Sequence, residues 1–187
     1  MNYNSKFSLR KTIKLFLLSG ILFSLTPFYI NSTKGLEFQW NPDSGYKKLK
    51  WYQRTAKKNY KNKLFLFFRP SDRKTGLLSI NIKMPDKFKS TLKPNKITFC
   101  KAKVGGYTSK SKCINDIPSD IVINKDTKKI EIYPISPVPS DKDTYAVVFK
   151  FTNPRKSGLY QFHSFGKSSG PIPVSNYIGS WTITIDP

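Results

Sequence analysis

The sequence predicts an all-β protein, an antiparallel β-sandwich of immunoglobulin-like layout. Apolar and polar residues alternate along most of the chain after residue 63, which is typical of strands with one buried face. Gly, Pro, Asn, Asp and Ser separate these segments at short intervals, and helical periodicity is almost absent. About eight or nine short strands at such spacing favour two packed antiparallel sheets.

The first predicted strand, residues 64–68, is apolar throughout, as expected of a strand that is covered on both faces. In the later strands every second residue is apolar, and these residues are expected to face the core. The predicted core rows are Leu78, Ile80, Ile82 and Met84; Ile97 and Phe99; Ile130 and Ile132; Tyr145, Val147, Phe149 and Phe151; and Trp181, Ile183 and Ile185.

The connections between these strands carry turn-forming residues. Residues 72–76 and 153–158 are expected to bend the chain between strands, and residues 124–129 to close a hairpin. Residues 134–143 are rich in Pro and Ser, which favours an extended crossover.

Residues 46–63 are compatible with two local structures. Leu49, Tyr52, Ala56 and Tyr60 lie at helical spacing, so a short basic amphipathic helix is one interpretation. The aromatic pair Trp51-Tyr52 and the flanking strands are equally compatible with a hairpin. The strand, turn, strand interpretation is the favoured one.

The first 35 residues are typical of a secretory signal peptide. Lys6, Arg10, Lys11 and Lys14 form a basic head without an acid, and the uncharged apolar run 15–25 follows. Pro27 and small or polar residues then end the run. An uncleaved signal-anchor is the alternative, in which case only this segment would touch a membrane. The expected organisation is a leader over residues 1–35 and one sandwich domain over residues 36–187.

The charge of the chain is strongly positive. The formal net charge is +22, and the leader contributes +5, which leaves +17 for residues 36–187. Such a field favours acidic polysaccharide or anionic lipid headgroups as partners. Nucleic acid is excluded, because the domain is expected to be exported and because Arg, which prefers bidentate phosphate contacts, is scarce. Alternatively, a chain rich in Lys, Ile, Asn, Phe and Tyr reflects an AT-rich genome and needs no anionic partner.

The predicted contact face lies mainly within residues 46–63, where eight cations are interleaved with aromatic residues. Cations beside aromatic rings can bind a polyanion and stack on sugar or lipid edges at the same time. The candidate binding residues are Lys47, Lys48, Lys50, Trp51, Tyr52, Arg54, Lys57, Lys58, Arg69 and Arg73. The alternative is a solvated face whose aromatic residues belong to the core.

The two cysteines, Cys100 and Cys113, are expected to form one disulfide in an oxidising compartment, with two free thiols as the alternative. On the chain-entropy model the bond would contribute about 3 kcal/mol of stability. A structural zinc site would need four ligands, and two Cys and one His do not supply them. The sequence therefore predicts no metal and no cofactor.

No catalytic residue is assigned. His163 is the sole histidine, and Ser164 and Ser168 lie close to it in sequence, but adjacent strand residues point to opposite faces. Most acids are explained by turns. Glu131 is the exception, and it has no evident acidic partner. A hydrolase of envelope polymers with a loop-assembled site, and a purely structural or assembly protein, remain as alternatives to a binding module.

Several motifs resemble an exported cyanobacterial family known as domain of unknown function 2808. They are Asn153-Pro154-Arg155, then Gly158, Tyr160 and Phe162, and finally Tyr177-Ile178-Gly179 with Trp181. Residues 64–84 resemble the early strand pair of that family, so the likeness covers about residues 36–185. The resemblance implies a signal-bearing, β-rich protein of a periplasm, thylakoid lumen or cell surface. It implies no activity and no site residues.

Overall fold

The structure is a computed structural model that describes residues 45–187, and this part of the chain is an antiparallel β-sandwich, as predicted. The predicted leader, residues 1–35, and the boundary at residue 36 lie outside the described residues. No helix within residues 45–187 is long and apolar enough to cross a membrane.

Within residues 45–187, ten strands form two sheets. They are β1 (Trp51–Gln53), β2 (Lys61–Phe68), β3 (Leu77–Lys83), β4 (Ile97–Lys103), β5 (Lys112–Asp116), β6 (Ser119–Asn124), β7 (Lys129–Pro134), β8 (Tyr145–Thr152), β9 (Gly158–Ser168) and β10 (Ser175–Ile185). The first sheet has the order β1-β2-β8-β4-β5 and the second the order β10-β9-β3-β7-β6. Short 3-10 turns at Pro70–Asp72 and Pro94–Lys96 interrupt two connections.

The core lies between the sheets, and the predicted apolar rows of β4, β7, β8 and β10 all face it. Trp181 is fully buried, and its ring meets that of Phe68 edge to face at a centroid distance of 5.1 Å. The prediction that β2 is covered on both faces is also confirmed. Leu64, Leu66 and Phe68 belong to the main core, whereas Phe65 and Phe67 pack in a second apolar cluster.

The predicted core row of β3 is wrong at one position. Leu78 was expected to face the core with Ile80, but Leu77 occupies that place and is 5 % exposed. The cause is an irregularity in the pairing of β3 with β9 between Leu77 and Ser79. A bulge inserts one residue into a strand and reverses the alternation on one side of it.

Cys100 on β4 and Cys113 on β5 form the predicted disulfide, with a Cα–Cα distance of 5.7 Å. The bond ties the edge strand β5 to its neighbour. The two sulfurs also lie within 4.8 Å of a carboxylate oxygen of Asp116. Disulfide sulfurs lack the thiolate charge that binds a metal, so these three residues do not make a metal site in this oxidised form.

Residues 46–63 adopt the strand, turn, strand structure rather than a helix. The chain first pairs in parallel with β10 at Lys48 and Ser180, then forms β1 against β2. It returns to the end of β10, where Lys57 pairs with Asp186. The segment therefore joins the edges of both sheets on one side of the sandwich.

Candidate functional site

Four connections meet at one end of the sandwich, which we call the basic end: residues 54–60, 84–96, 125–128 and 153–157. The strand pairing places them together, because β2 begins beside the end of β8 and β7 begins beside the end of β3. These connections contain eleven Lys and Arg residues and two Asp residues. The connections of the opposite end, residues 69–76, 104–111, 135–144 and 169–174, contain five Lys and Arg residues and three Asp residues.

At the opposite end two of the five connection cations, Arg69 and Arg73, are paired with acids, and Lys47 and Lys101 beside these connections are paired as well, whereas Lys74, Lys110 and Lys142 are not. The buried carboxylate of Asp72 accepts hydrogen bonds from Arg69 at 3.0 and 3.1 Å, and the ammonium of Lys47 lies 3.9 Å away. The hydrogen bond with Asp72 raises the pKa of Arg69. Lys101 on β4 forms an ion pair with Asp143. Paired charges of this kind contribute little to the attraction of a distant anion.

Arg73 does not belong to any exposed face, and its assignment as a contact residue is corrected. Its side chain is 1 % exposed. The guanidinium donates to the carbonyls of Pro139 and Asp143 at 2.6 and 2.7 Å and to Asp141 at 3.2 Å. It also lies 4.6 Å from the ring centroid of Tyr145. A long-range partner, Asp141, has therefore drawn this cation into the interior.

Cations at the basic end are, in contrast, mostly free of acids. Among residues 45–187, Lys128 is the only basic-end cation in an ion pair, with its ammonium 2.9 Å from Asp86. The hydrogen bond from Lys128 lowers the pKa of Asp86. Lys57 lies 4.5 Å over the ring of Tyr60. The basic end thus presents a strong field that the described part of the protein does not neutralise.

A cavity of about 680 Å³ opens at the basic end. We call it the basic-end pocket. Its lining consists of Asn59, Asp86, Lys87, Lys89, Ser90, Thr91, Thr152, Asn153, Pro154, Arg155 and Lys156. Three separate connections contribute these residues, so the pocket exists only in the folded chain. Four of the lining side chains are cations without an acidic partner among the described residues.

Two buried asparagines hold the walls of this pocket. The side-chain amide of Asn153 donates to the carbonyls of Thr55 and Lys57 at 3.1 and 2.8 Å. Its carbonyl oxygen accepts from Asn62 at 2.9 Å, and Asn62 in turn accepts from the backbone N–H groups of Arg54 and Thr55. The turn between β1 and β2 is therefore fixed against the end of β8.

Phe88 anchors the connection between β3 and β4. Its ring packs edge to face on Phe151, Tyr160 and Phe162, with centroid distances of 5.0 to 5.5 Å. The two pocket lysines, 87 and 89, flank this buried ring in the sequence and are themselves exposed. The hydroxyl of Ser90 donates to the carbonyl of Thr152 at 2.7 Å. Burial of one aromatic ring thus positions two cations at the pocket.

The ten predicted contact residues divide into three groups. Arg54, Lys57 and Lys58 lie at the basic end. Lys48, Lys50, Trp51 and Tyr52 lie along the edge of the sandwich that leads to it. Lys47, Arg69 and Arg73 lie beside Asp72 and Asp141 at the opposite end.

The two aromatic residues of this edge behave differently. Trp51 is half-buried and packs against the core, whereas Tyr52 is exposed and lies 6.1 Å from the ring of Phe65 on the outer face of the first sheet. Tyr52 also lines a smaller cleft of about 320 Å³ with the disulfide-closed connection that carries Tyr107. Trp51 lines the same cleft, so both rings border it, and Tyr52 is the more exposed of the two.

Sequence reasoning missed the four cations of the basic-end pocket, Lys87, Lys89, Arg155 and Lys156. Lys87 and Lys89 lie in one connection, and Arg155 and Lys156 lie in another, 65 or more residues away. Neither pair belongs to a dense run of basic residues in the sequence. One signal was present, since Arg155 belongs to the Asn153-Pro154-Arg155 motif. Asn153, two residues before Arg155, is predicted as a turn residue, and its hydrogen bonds to Thr55 and Lys57 depend on the strand order.

His163 meets neither Ser164 nor an acid. Its Nδ1 lies 2.8 Å from the hydroxyl of Ser180 on β10, and that hydroxyl lies 2.6 Å from the hydroxyl of Tyr177. Burial lowers the pKa of His163, and the positive charge of Lys83 lowers it further. Ser180 is fully buried. The arrangement therefore lacks both an accessible nucleophile and the acid of a catalytic triad.

Several acids of the described chain make structural contacts. Burial acts to raise the pKa of Asp141, but hydrogen bonds from Tyr145 and Arg73 outweigh it, so the pKa is lowered. Burial and the hydrogen bond to Asp141 raise the pKa of Tyr145. Glu131 accepts a hydrogen bond from Tyr133 at 2.9 Å, which raises the pKa of that tyrosine. The general acid of a glycoside hydrolase needs a raised pKa, whereas that of Asp141 is lowered.

A comparison with models of known protein families matches residues 38–185 to the family described as "Protein of unknown function (DUF2808)". The chain belongs to this family. The match agrees with the extent of the resemblance seen in the sequence motifs. No curated protein is similar enough to the chain to count as a relative.

Solved structures with a similar fold include BslA, a bacterial hydrophobin, with a TM-score of 0.47 and 16 % identity over 74 % of this chain and 97 % of that one. The collagen-binding domain of a Staphylococcus aureus adhesin has a TM-score of 0.39 and 10 % identity, over 72 % of this chain and 95 % of that one. The collagen-binding subdomain of the Enterococcus faecalis surface protein ACE has a TM-score of 0.41 and 11 % identity, over 74 % of this chain and 97 % of that one. At these identities the likeness concerns the fold and says nothing about ligands.

Proposed function

We propose that this DUF2808 protein is a non-enzymatic, exported module that binds acidic polysaccharide through its basic end and the adjoining edge strand β1. The observation that carries the proposal is the segregation of unpaired charge. Eleven cations and two acids occupy the basic-end connections, and a single ion pair forms among them within the described chain. Charge of one sign gathered on one surface attracts a polyanion and raises its local concentration.

The shape of the basic end favours a polymer over a lipid bilayer. Its cations surround a concave pocket, whereas a flat membrane is met by protruding cations with apolar side chains that enter the interface. In the three connections that line the pocket, Tyr60 is the only large apolar side chain that is exposed. The exposed aliphatic residues Ile135, Ile172 and Val174 lie at the opposite end.

The disulfide supports the exported part of the proposal. Disulfides persist in oxidising compartments and are rare where thiols are kept reduced. Cys100 and Cys113 are bonded, and the described chain has no free cysteine. An exported basic protein would be in direct contact with the acidic polymers of an envelope or extracellular matrix.

The proposal is tested by binding of the purified protein to polygalacturonate across a range of NaCl concentrations. The test variant is Lys57→Gln, Lys58→Gln, Lys93→Gln and Lys125→Gln, all at the basic end. Its matched control is Lys74→Gln, Lys103→Gln, Lys110→Gln and Lys142→Gln, which removes the same number of exposed charges elsewhere. We expect affinity to fall by about tenfold or more in the test variant and by about threefold or less in the control.

Three outcomes contradict the proposal. Equal losses in both variants would show that total charge, and not the basic end, governs binding. Tighter binding to anionic liposomes than to the polymer would favour a lipid surface. Association with envelope material that persists in 1 M NaCl would favour an assembly protein, because apolar contacts are not screened by salt.

A further inference from the structure

We infer that the basic-end pocket is a discrete site for one acidic sugar unit, in which a carboxylate or sulfate group is held by Lys87, Lys89, Arg155 and Lys156. The inference rests on the proposed function, because it names the part of the polymer that the protein recognises. The remaining cations of the basic end attract the chain, whereas the pocket selects the unit that binds.

The size of the pocket matches a sugar and exceeds what a bare ion needs. Its volume of about 680 Å³ lies within the range of about 300 to 1,000 Å³ that is usual for small-molecule sites. A simple inorganic ion would leave most of that space to water. A pyranose unit with its neighbours in the chain fills it better.

The charges of the pocket favour an anion. Its four unpaired cations face a single lining acid, and the negative charge of that acid, Asp86, is balanced by Lys128 at 2.9 Å. The planar guanidinium of Arg155 can bind a carboxylate or sulfate with two parallel hydrogen bonds. The three lysines supply charge on flexible stems that adapt to the position of the anionic group.

The other polar groups of the pocket favour a sugar as the carrier of that anion. Asn59 and Thr91 line it, and neither side chain has a hydrogen-bond partner among residues 45–187. The hydroxyl of Ser90 donates to Thr152 and retains lone pairs that can accept. Sugar hydroxyls both donate and accept, so they can satisfy an amide and two hydroxyls on the walls of the pocket.

The pocket is formed before any ligand binds. The hydrogen bonds of Asn153 fix the turn that carries Asn59, and the packing of Phe88 fixes the connection that carries Lys87 and Lys89. Pro154 restricts the backbone before Arg155. Rigid walls reduce the ordering cost of binding, so that a short ligand can bind without the rest of the polymer.

The inference is tested by titration calorimetry with trigalacturonate, and with neutral maltotriose as the control ligand. The pocket variant is Lys87→Gln, Lys89→Gln, Arg155→Gln and Lys156→Gln. The matched variant is Lys57→Gln, Lys58→Gln, Lys93→Gln and Lys125→Gln, which lies at the same end outside the pocket lining. We expect the affinity for trigalacturonate to fall about tenfold or more in the pocket variant and about threefold or less in the matched variant. Arg155→Gln alone tests the same point if the fourfold variant does not fold.

Several outcomes overturn the inference. Equal losses in the two variants, or equal binding of maltotriose, would show that the pocket does not recognise an acidic sugar. Sodium sulfate that displaces trigalacturonate far better than NaCl of equal ionic strength would indicate a site for a bare oxyanion. Polygalacturonate binding without trigalacturonate binding would remove the site and leave the proposed function intact. If the wild-type protein binds neither polygalacturonate nor trigalacturonate, both the site and the proposed function are ruled out.

Discussion

His163 lies in a partly buried position that disfavours its charged form. Burial lowers its pKa, and Lys83, its cross-strand neighbour on β3, lowers it further. The unfolded chain keeps the ordinary value of about 6.5 and therefore binds the proton first as the pH falls. Stability is thus fully present above pH 7 and decreases as the pH falls through about 6.5 toward the lower pKa of the folded state.

We therefore expect the urea midpoint of unfolding to be lower at pH 5.5 than at pH 7.5. His163→Gln keeps a polar group beside Ser180 but cannot titrate, so its midpoint should change less between the two pH values. Asp86 and Asp141 do not interfere, because their pKa values are lowered and their contributions are lost only in more acidic solution. A wild-type midpoint that is the same at both pH values would contradict this expectation.

At the residue scale, the sequence predicts the burial of side chains that belong to an alternating row. It does not predict the burial of side chains whose partners are distant in the sequence. Phe149, Trp181 and Ile183 were assigned to the core because their neighbours alternate with them. Arg73 resembled the exposed cations around it, yet its partners lie 66 to 70 residues away. No local pattern distinguishes a cation that is buried against distant backbone carbonyls and a carboxylate from one that meets water.

Gly179 allows the segment before β1 to pair with β10. A Cβ at this position would lie 2.6 Å from the carbonyl oxygen of Lys47 and 2.7 Å from the side chain of Leu49, and the φ of +155° is rare for other residues. The N–H of Ser180 donates to that same carbonyl at 2.7 Å. We expect Gly179→Ala to destabilise the protein by about 2 kcal/mol, because it displaces this pairing.

Hydrogen exchange and urea unfolding check this expectation. In Gly179→Ala the amide of Leu49, which donates to the carbonyl of Ser180 at 2.8 Å, should exchange faster. Gly170→Ala is the control, since a Cβ there would meet no atom within 4 Å, and its effect should be within about 0.5 kcal/mol. Unchanged protection of Leu49 in Gly179→Ala would show that the close approach is not required.

At the element scale, strands with a long buried row are predicted directly, whereas the edge strand β5 has no signal of its own and β6 is indicated only by the predicted hairpin turn at residues 124–129. β8 and β10 have long alternating rows, whereas β5 has almost no buried residue and β6 is only half-buried. Edge strands are defined by backbone pairing with one neighbour, which leaves little trace in side-chain type. The bulge beside Leu78 was missed for the same reason, because it is a property of the pairing.

At the scale of the whole molecule, composition predicted a strong positive field, but only the topology shows where it lies. The cations of the basic end come from four connections spread between residues 54 and 157. Two of these cations, Lys87 and Arg155, are 68 residues apart in the sequence and line the same pocket. The sequence therefore predicts an anionic partner and a contact face within residues 46–73, whereas the strand order decides which cations lie together.

The same segregation sets how salt affects stability. Residues 45–187 contain 28 basic and 9 acidic side chains, with five ion pairs among them, so repulsion outweighs attraction. The Debye screening length shortens from about 10 Å at 0.1 M salt to about 3 Å at 1 M. We expect NaCl to raise the thermal midpoint of unfolding over this range while it weakens polysaccharide binding.

The two charge variants make this prediction specific. Lys57→Gln, Lys58→Gln, Lys93→Gln and Lys125→Gln relieve repulsion where cations are concentrated, so the midpoint of this variant should respond less to NaCl than the wild type does. Lys74→Gln, Lys103→Gln, Lys110→Gln and Lys142→Gln lower the net charge equally but leave the basic end intact, and this variant should keep most of the response. Differential scanning calorimetry at both salt concentrations measures the difference. A midpoint that falls with NaCl would show that the five ion pairs, and not the crowded cations, dominate the electrostatics of folding.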